Sequence, residues 1–145
     1  MTKDLVLILD FGSQTTQLIA RRIRESKVYC EIHPCNAPFE DIRAKNPRAI
    51  ILSGGPSSVY EDGAPSLDKR IFELGVPVLG ICYGMQLMAH LLGGKVERAD
   101  KREFGLAKVT IDKPEGIFHR FAQRETIDVW MSHGDRIESM PTGFS

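Results

Sequence analysis

Leu5-Val6-Leu7-Ile8-Leu9 is a continuous apolar run, and it narrows the fold more than any other feature of the chain. A strand with no polar face must be covered on both sides, which is the condition of a parallel sheet between layers of helices. The residues that follow support this. Asp10-Phe11-Gly12-Ser13 reads as a turn, and Ser13 or Thr15 can cap a helix that turns Leu18, Ile19 and Ile23 inward and Arg21, Arg22 and Arg24 outward. Strands are expected at residues 28–32, 49–52 and 76–81. Between them lie a short helix at 39–45, ended by Asn46-Pro47, and a helix at 67–74 closed by Gly75, with a polar loop at 57–64. Strand and helix alternate with short connections, so the expected fold is α/β, a doubly wound and mostly parallel sheet flanked by helices in the flavodoxin manner. Ligands in such folds bind at the C-terminal ends of the strands. Beyond residue 95 the segments 95–98, 106–111 and 127–131 alternate more and read as short antiparallel or edge strands.

Gly80-Ile81-Cys82-Tyr83-Gly84 follows the fourth apolar run and opens a helix ending at Gly93-Gly94. G-x-C-x-G between strand and helix is the cysteine form of a nucleophile elbow, where small residues two positions either side of the nucleophile leave room for a sharp turn. The turn places Cys82 at a helix N-terminus, where unpaired N–H groups favour a thiolate. Acyl transfer also needs an oxyanion hole. Tyr83 N–H offers one donor, and Gly54 or Gly55, in the glycine pair ending the third strand, can offer a second. Met85, Met88, Ala89 and Leu92 are expected on one packed face of the helix after Cys82.

The chain has 145 residues, enough for one domain with its own core, and 19 basic residues balance 19 acidic ones. That balance gives no electrostatic case for nucleic acid or an anionic membrane as partner. Cys30, Cys35 and Cys82 are an odd number without a CxxC pair, which fits a reducing, cytoplasmic setting better than a disulfide framework. Cys30, His33 and Cys35 match no zinc spacing, so no metal site is expected. No segment has the length of a membrane span, and Met1-Thr2-Lys3-Asp4 leads directly into a core strand without a signal peptide.

The general base is harder to place. Of the four histidines, His90 lies two turns into the helix after Cys82, and His33 and His119 sit in loop-like surroundings. His133, in Trp130-Met131-Ser132-His133-Gly134-Asp135, stands at a strand end two residues before a carboxylate and is the candidate that the residues alone put forward.

Five segments in order, Asp10-Phe11-Gly12-Ser13-Gln14, Ser53-Gly54-Gly55-Pro56-Ser57, Gly80-Ile81-Cys82-Tyr83-Gly84-Met85-Gln86, Arg102-Glu103-Phe104-Gly105 and Ser132-His133-Gly134-Asp135, resemble the class I glutamine amidotransferase domain. The first and last of them are similar to the glutamine-hydrolysing GMP synthases within that class. The resemblance implies that Cys82 attacks the side-chain amide of L-glutamine, that Gly55 and Tyr83 N–H hold the oxyanion, and that Gly54, Gln86, Ser132 and His133 contact the bound amino acid. It implies no cofactor in this chain. Ammonia would pass to a synthetase (ATP-pyrophosphatase) domain or subunit that uses ATP and magnesium to aminate XMP. The family's base lies in a His-Pro-Glu motif that residues 1–145 do not contain, and His133 matches the substrate-side motif instead. The expectation is therefore an amidotransferase domain incomplete at its C-terminus, without the ATP-pyrophosphatase and dimerisation domains and impaired or inactive alone. Two other readings stay open: a non-catalytic module that binds glutamine or a partner, and another cysteine hydrolase on the same fold, with His133 and Asp135 completing a triad.

Overall fold

The computed structural model describes residues 3–145, apart from the side chains of residues 100–103 and 132–133. It divides into two compact units, one made of residues up to 97 together with 137–145, the other of residues 98–136.

In the first unit, β1 (Leu5–Asp10), β2 (Tyr29–Pro34), β3 (Ala49–Leu52) and β4 (Val78–Gly80) form a parallel sheet in the order β2-β1-β3-β4. Successive side chains of a strand point to opposite faces. Val6, Ile8 and Ile51 therefore face α1 (Thr16–Glu25), packing with Ile19, Ala20 and Ile23 and with Cys30 of β2. Leu7, Leu9, Ile50 and Leu52 face the other way, where Ile42 of α2 (Phe39–Ala44) and Leu87 of α3 (Tyr83–Leu91) close a larger core with Phe11, Ile71 and Tyr83. Helices on both faces make the sheet doubly wound, as the apolar runs predict. The chain goes from β1 outward to β2 and then crosses to β3 on β1's other side, so the topological switch point lies between β1 and β3.

Several local expectations need correction. Leu18 is exposed, because it lies about 200° around α1 from the buried Thr16, and Ala20 takes the inward position instead. On α3 Ala89 is buried and Met88 packs on the core as expected, but Tyr83, Leu87 and Leu91 also face inward, whereas Met85, about 200° from Tyr83, is exposed and Leu92 is only half-buried. The helix expected at 67–74 is a short 3₁₀ segment, Lys69–Glu73. The Asp68 carboxylate accepts from Arg70 N–H at 3.0 Å, and Ile71 alone within the segment is buried, too little apolar surface to hold an α-helix. The fourth strand narrows to three residues because Pro77 has no N–H, though its carbonyl still accepts from Ile50 at 3.0 Å.

Two long strands replace the three short ones expected after residue 95. β5 (Lys95–Thr110) and β6 (Thr126–Ser139) form a two-stranded ribbon. Lys108 pairs with Asp128 at 3.1 Å and Thr110 meets Thr126 at 3.4 Å, an antiparallel register. The segments expected separately at 95–98 and 106–111 are one strand, which runs on through Gly105 at φ +112°. Ile111 closes the ribbon's end through its N–H to the Glu125 carbonyl at 2.8 Å, and is itself buried.

Candidate active site

The site is built on the C-terminal ends of β1, β3 and β4. Cys82 is the N-cap of α3, at φ +50° and ψ −114°, a conformation that side-chain-bearing residues rarely adopt, and its side chain is exposed. Strain of this kind costs about 1–3 kcal/mol and persists where the surroundings enforce it. Here the flanking glycines do so. A Cβ on Gly80 would lie 2.6 Å from Met85 Cα, and one on Gly84 would lie 2.6 Å from Leu52 Cβ and run into the Leu52 carbonyl. Only with both positions bare can the first turn of α3 sit directly on β3 and β4. The turn is pinned by Gly84 N–H, shared between the carbonyls of Ser53 at 3.2 Å and Ile81 at 3.0 Å, and by Gln86 N–H to the Cys82 carbonyl at 3.0 Å. Tyr83 N–H begins α3 and so has no acceptor within the helix.

The strap after β3 lies against Cys82. A Cβ added to Gly54 would be 3.3 Å from Cys82 Cβ and 3.7 Å from Ser13 Oγ. Gly55 packs on the Phe11 main chain, where a Cβ would fall 3.2 Å from the Phe11 carbonyl carbon. Ser53, wholly buried, joins these parts: its Oγ accepts from Phe11 N–H at 3.1 Å and donates to the Gly54 carbonyl at 3.1 Å. Asp10 fixes the neighbouring turn, Oδ1 accepting from Gly12 N–H at 2.9 Å and from Thr16 Oγ1 at 3.0 Å. Neither Asp10 nor Ser53 received a role from sequence reasoning. The available signal was their position: each is a polar residue immediately after an apolar strand and one or two residues before a glycine, where side-chain-to-backbone hydrogen bonds organise turns.

Other candidates are sorted by their surroundings. The Tyr83 ring packs on Phe11 at a centroid distance of 5.5 Å, and its hydroxyl donates to the Pro65 carbonyl. Burial pushes that hydroxyl's pKa up, so the side chain belongs to the core and only the main chain is left for chemistry. Gln86 is buried one turn into α3. Ser132 and His133, as well as Arg102 and Glu103, lie outside the described side chains. Asp135 is buried, and its interactions give it partners. His33 is bound 3.0 Å from Glu31, whose carboxyl falls to about 2 under hydrogen bonds from His33, Tyr29 and Lys45. His119 Nδ1 lies 2.9 Å from the Gly116 carbonyl, and His90 is exposed on α3. Among the described residues, then, no histidine is paired with Cys82. Nor does any group of three or more His, Cys, Asp or Glu side chains among them form a metal site, and none of their helices is long and apolar enough to cross a membrane.

An exposed, strained cysteine stands at a strand-to-helix elbow of a doubly wound sheet, with a glycine strap beside it. The family model for glutamine amidotransferase class-I matches residues 7–145, and the chain belongs to that family. Within it, the chain is similar to proteins described as GMP synthase [glutamine-hydrolyzing]. It is 61% identical to the one from Brachyspira hyodysenteriae over 141 residues, covering 97% of this chain and 27% of that relative. It is 58% identical to the one from Neisseria meningitidis serogroup C over 146 residues, covering 100% and 28%. The chain thus spans a little over a quarter of the length of the curated relatives it matches. Among solved structures, a protein from Thermoplasma acidophilum described as one subunit of a GMP synthase superposes with a TM-score of 0.82 at 30% identity, covering all of this chain and 72% of that one. A glutamine amidotransferase from Methylobacillus flagellatus, 18% identical, shares the fold with a TM-score of 0.67, over 99% of this chain and 59% of its own.

Proposed function

We propose that the chain is the glutamine-hydrolysing part of a GMP synthase. The observation that carries the chemistry is Cys82, exposed at its elbow with Gly54 packed against its Cβ. The Cys82 thiolate attacks the side-chain amide carbon of L-glutamine, and the carbonyl oxygen becomes an oxyanion held by Gly55 and Tyr83 N–H. The C–N bond breaks as the nitrogen takes up a proton and leaves as ammonia. Water then opens the thioester to glutamate and frees the thiol. Gly54, Gln86, Ser132 and His133 bind the amino acid. The base that moves these protons comes from outside the described side chains, and without it turnover is slow. Ammonia passes to a synthetase domain or subunit that activates XMP with ATP and magnesium and releases GMP. The three unpaired cysteines support a reducing compartment, the cytoplasm, as the place of this reaction.

Intact-mass analysis after treatment with diazo-oxo-norleucine, a glutamine analogue that alkylates thiols, tests the reading. One adduct at Cys82 is expected, blocked by excess glutamine and lost in Cys82→Ser. An adduct that glutamine does not block, or one at Cys35, would refute it.

A further inference from the structure

The two N–H donors assigned to the oxyanion hole differ in how they are held. Tyr83 N–H is fixed by α3 itself. Gly55 N–H belongs to a peptide between two glycines, where rotation meets little steric resistance because neither residue carries a Cβ. The N–H of residue 55 and the C=O of residue 54 share one plane and point in opposite directions, so holding the carbonyl holds the donor.

The Gly54 carbonyl is held by Ser53. Phe11 N–H donates to Ser53 Oγ at 3.1 Å, and this contact uses a lone pair and leaves the single hydroxyl proton for the Gly54 carbonyl, also 3.1 Å away. Ser53 is completely buried, so no solvent competes for that proton. Its main chain is equally committed, the N–H to the Leu9 carbonyl at 3.0 Å and the carbonyl to Gly84 N–H at 3.2 Å. The side chain therefore stands on a frame tied to β1 on one side and to the elbow on the other. Rotating the 54–55 peptide by half a turn would remove the acceptor of a buried hydroxyl and turn the Gly55 N–H away.

We propose that Ser53 is a positioning residue: through its hydroxyl it locks the Gly54–Gly55 peptide in the one orientation that presents Gly55 N–H to the oxyanion. This rests on the glutaminase reading above and deepens it. The lock acts on transition-state stabilisation, so it governs reactions that pass through an oxyanion and leaves simple alkylation of the thiol untouched.

The test compares two reagents on the full chain. Diazo-oxo-norleucine brings a carbonyl oxygen into the hole, whereas iodoacetamide reacts with a thiolate by direct displacement. Ser53→Ala is expected to slow glutamine-protectable labelling of Cys82 by the diazoketone about tenfold to a hundredfold, somewhat less than removal of an oxyanion donor. Labelling by iodoacetamide should stay within about twofold, and Ser53→Thr, which keeps the hydroxyl, should restore most of the diazoketone rate. Unchanged diazoketone labelling in a folded Ser53→Ala would overturn the proposal. So would parallel loss of both rates with a lowered melting temperature, which is what a scaffold role alone produces. If Ser53→Ala does not fold, 15N relaxation dispersion at Gly55 in the wild type decides: one non-exchanging amide is expected, and microsecond-to-millisecond exchange there overturns the lock. If glutamine fails to protect Cys82 even in the wild type, the glutaminase reading itself falls, and the proposal with it.

Discussion

Gly84→Ala separates the demands of the elbow from ordinary helix propensity, because the two act in opposite directions. Alanine in place of glycine inside a helix gains about 1 kcal/mol from propensity. Against that, the new Cβ would stand 2.6 Å from Leu52 Cβ, where ordinary contact begins near 3.4 Å, so α3 or β3 must give by about 0.8 Å (3.4 − 2.6). The Leu52 carbonyl, also in the way, is bound by Ile81 N–H at 3.0 Å and cannot recede without loosening that bond, a loss of about 1 kcal/mol. Overpacking against main chain adds about 1–3 kcal/mol. The sum is a net destabilisation of about 1–3 kcal/mol, or about 3–10 °C in melting temperature for a chain of this size. A displacement near 1 Å at the first turn of α3 also moves Cys82, and misplacement on that scale costs about a hundredfold in reactivity. Circular dichroism melting and the rate of glutamine-protectable alkylation measure the two effects. A melting temperature equal to or above the wild type, with alkylation unchanged, would show that the close approach of Gly84 to Leu52 does not constrain the elbow.

Cys82→Gly should abolish glutamine-protectable alkylation while raising stability by about 1 kcal/mol in urea denaturation, since it relieves a side-chain-bearing residue at φ +50°, less the extra freedom of glycine in the unfolded chain; a destabilised variant would refute stored strain at Cys82. Glu31 should make the molecule acid-sensitive. Its carboxyl is held down to about 2 from 4.5, chiefly by the hydrogen bond from His33, so its contribution is complete above about pH 4.5 and disappears as the pH falls toward 2. The shift corresponds to about 3 kcal/mol, and screening at a side chain with 25% exposure reduces that to about 1 kcal/mol. Urea midpoints of wild type and Glu31→Gln should therefore differ near pH 7 and converge near pH 2.5; a constant difference would refute the assignment.

What could be read from the sequence follows from how local each signal is. Leu5 to Leu9 reads as a doubly covered strand and the Gly80-to-Gly84 spacing as a sharp turn, so the sheet and the elbow at Cys82 are visible residue by residue. The orientation of α3 is only partly so, because it depends on which side chain the elbow buries first: with Tyr83 seated on Phe11, the inward side takes in Tyr83 and Leu87 beside the expected Met88 and Ala89 and leaves Met85 outside. The ribbon was missed for a similar reason. Gly105 and its charged neighbours carry the local signature of a break, and only pairing with β6, some twenty residues away in sequence, makes one strand of them. Ser53 shows the limit most clearly. Its identity is plain in the chain, but its function lies in two hydrogen bonds, one of them to a residue 42 positions earlier.

The Tyr83 side chain is sealed in the core while its N–H opens α3. A main-chain donor placed this way cannot be removed by point substitution, since every amino acid except proline supplies the same N–H. A saturation scan of this chain would therefore register, at such positions, the side chain alone: the Tyr83 ring seated on Phe11, or the bare Cα of Gly55 against the Phe11 main chain. Its losses would gather at the residues that shape the main chain, Ser53, Gly80 and Gly84, and the map of sensitive positions would trace the mould rather than the casting.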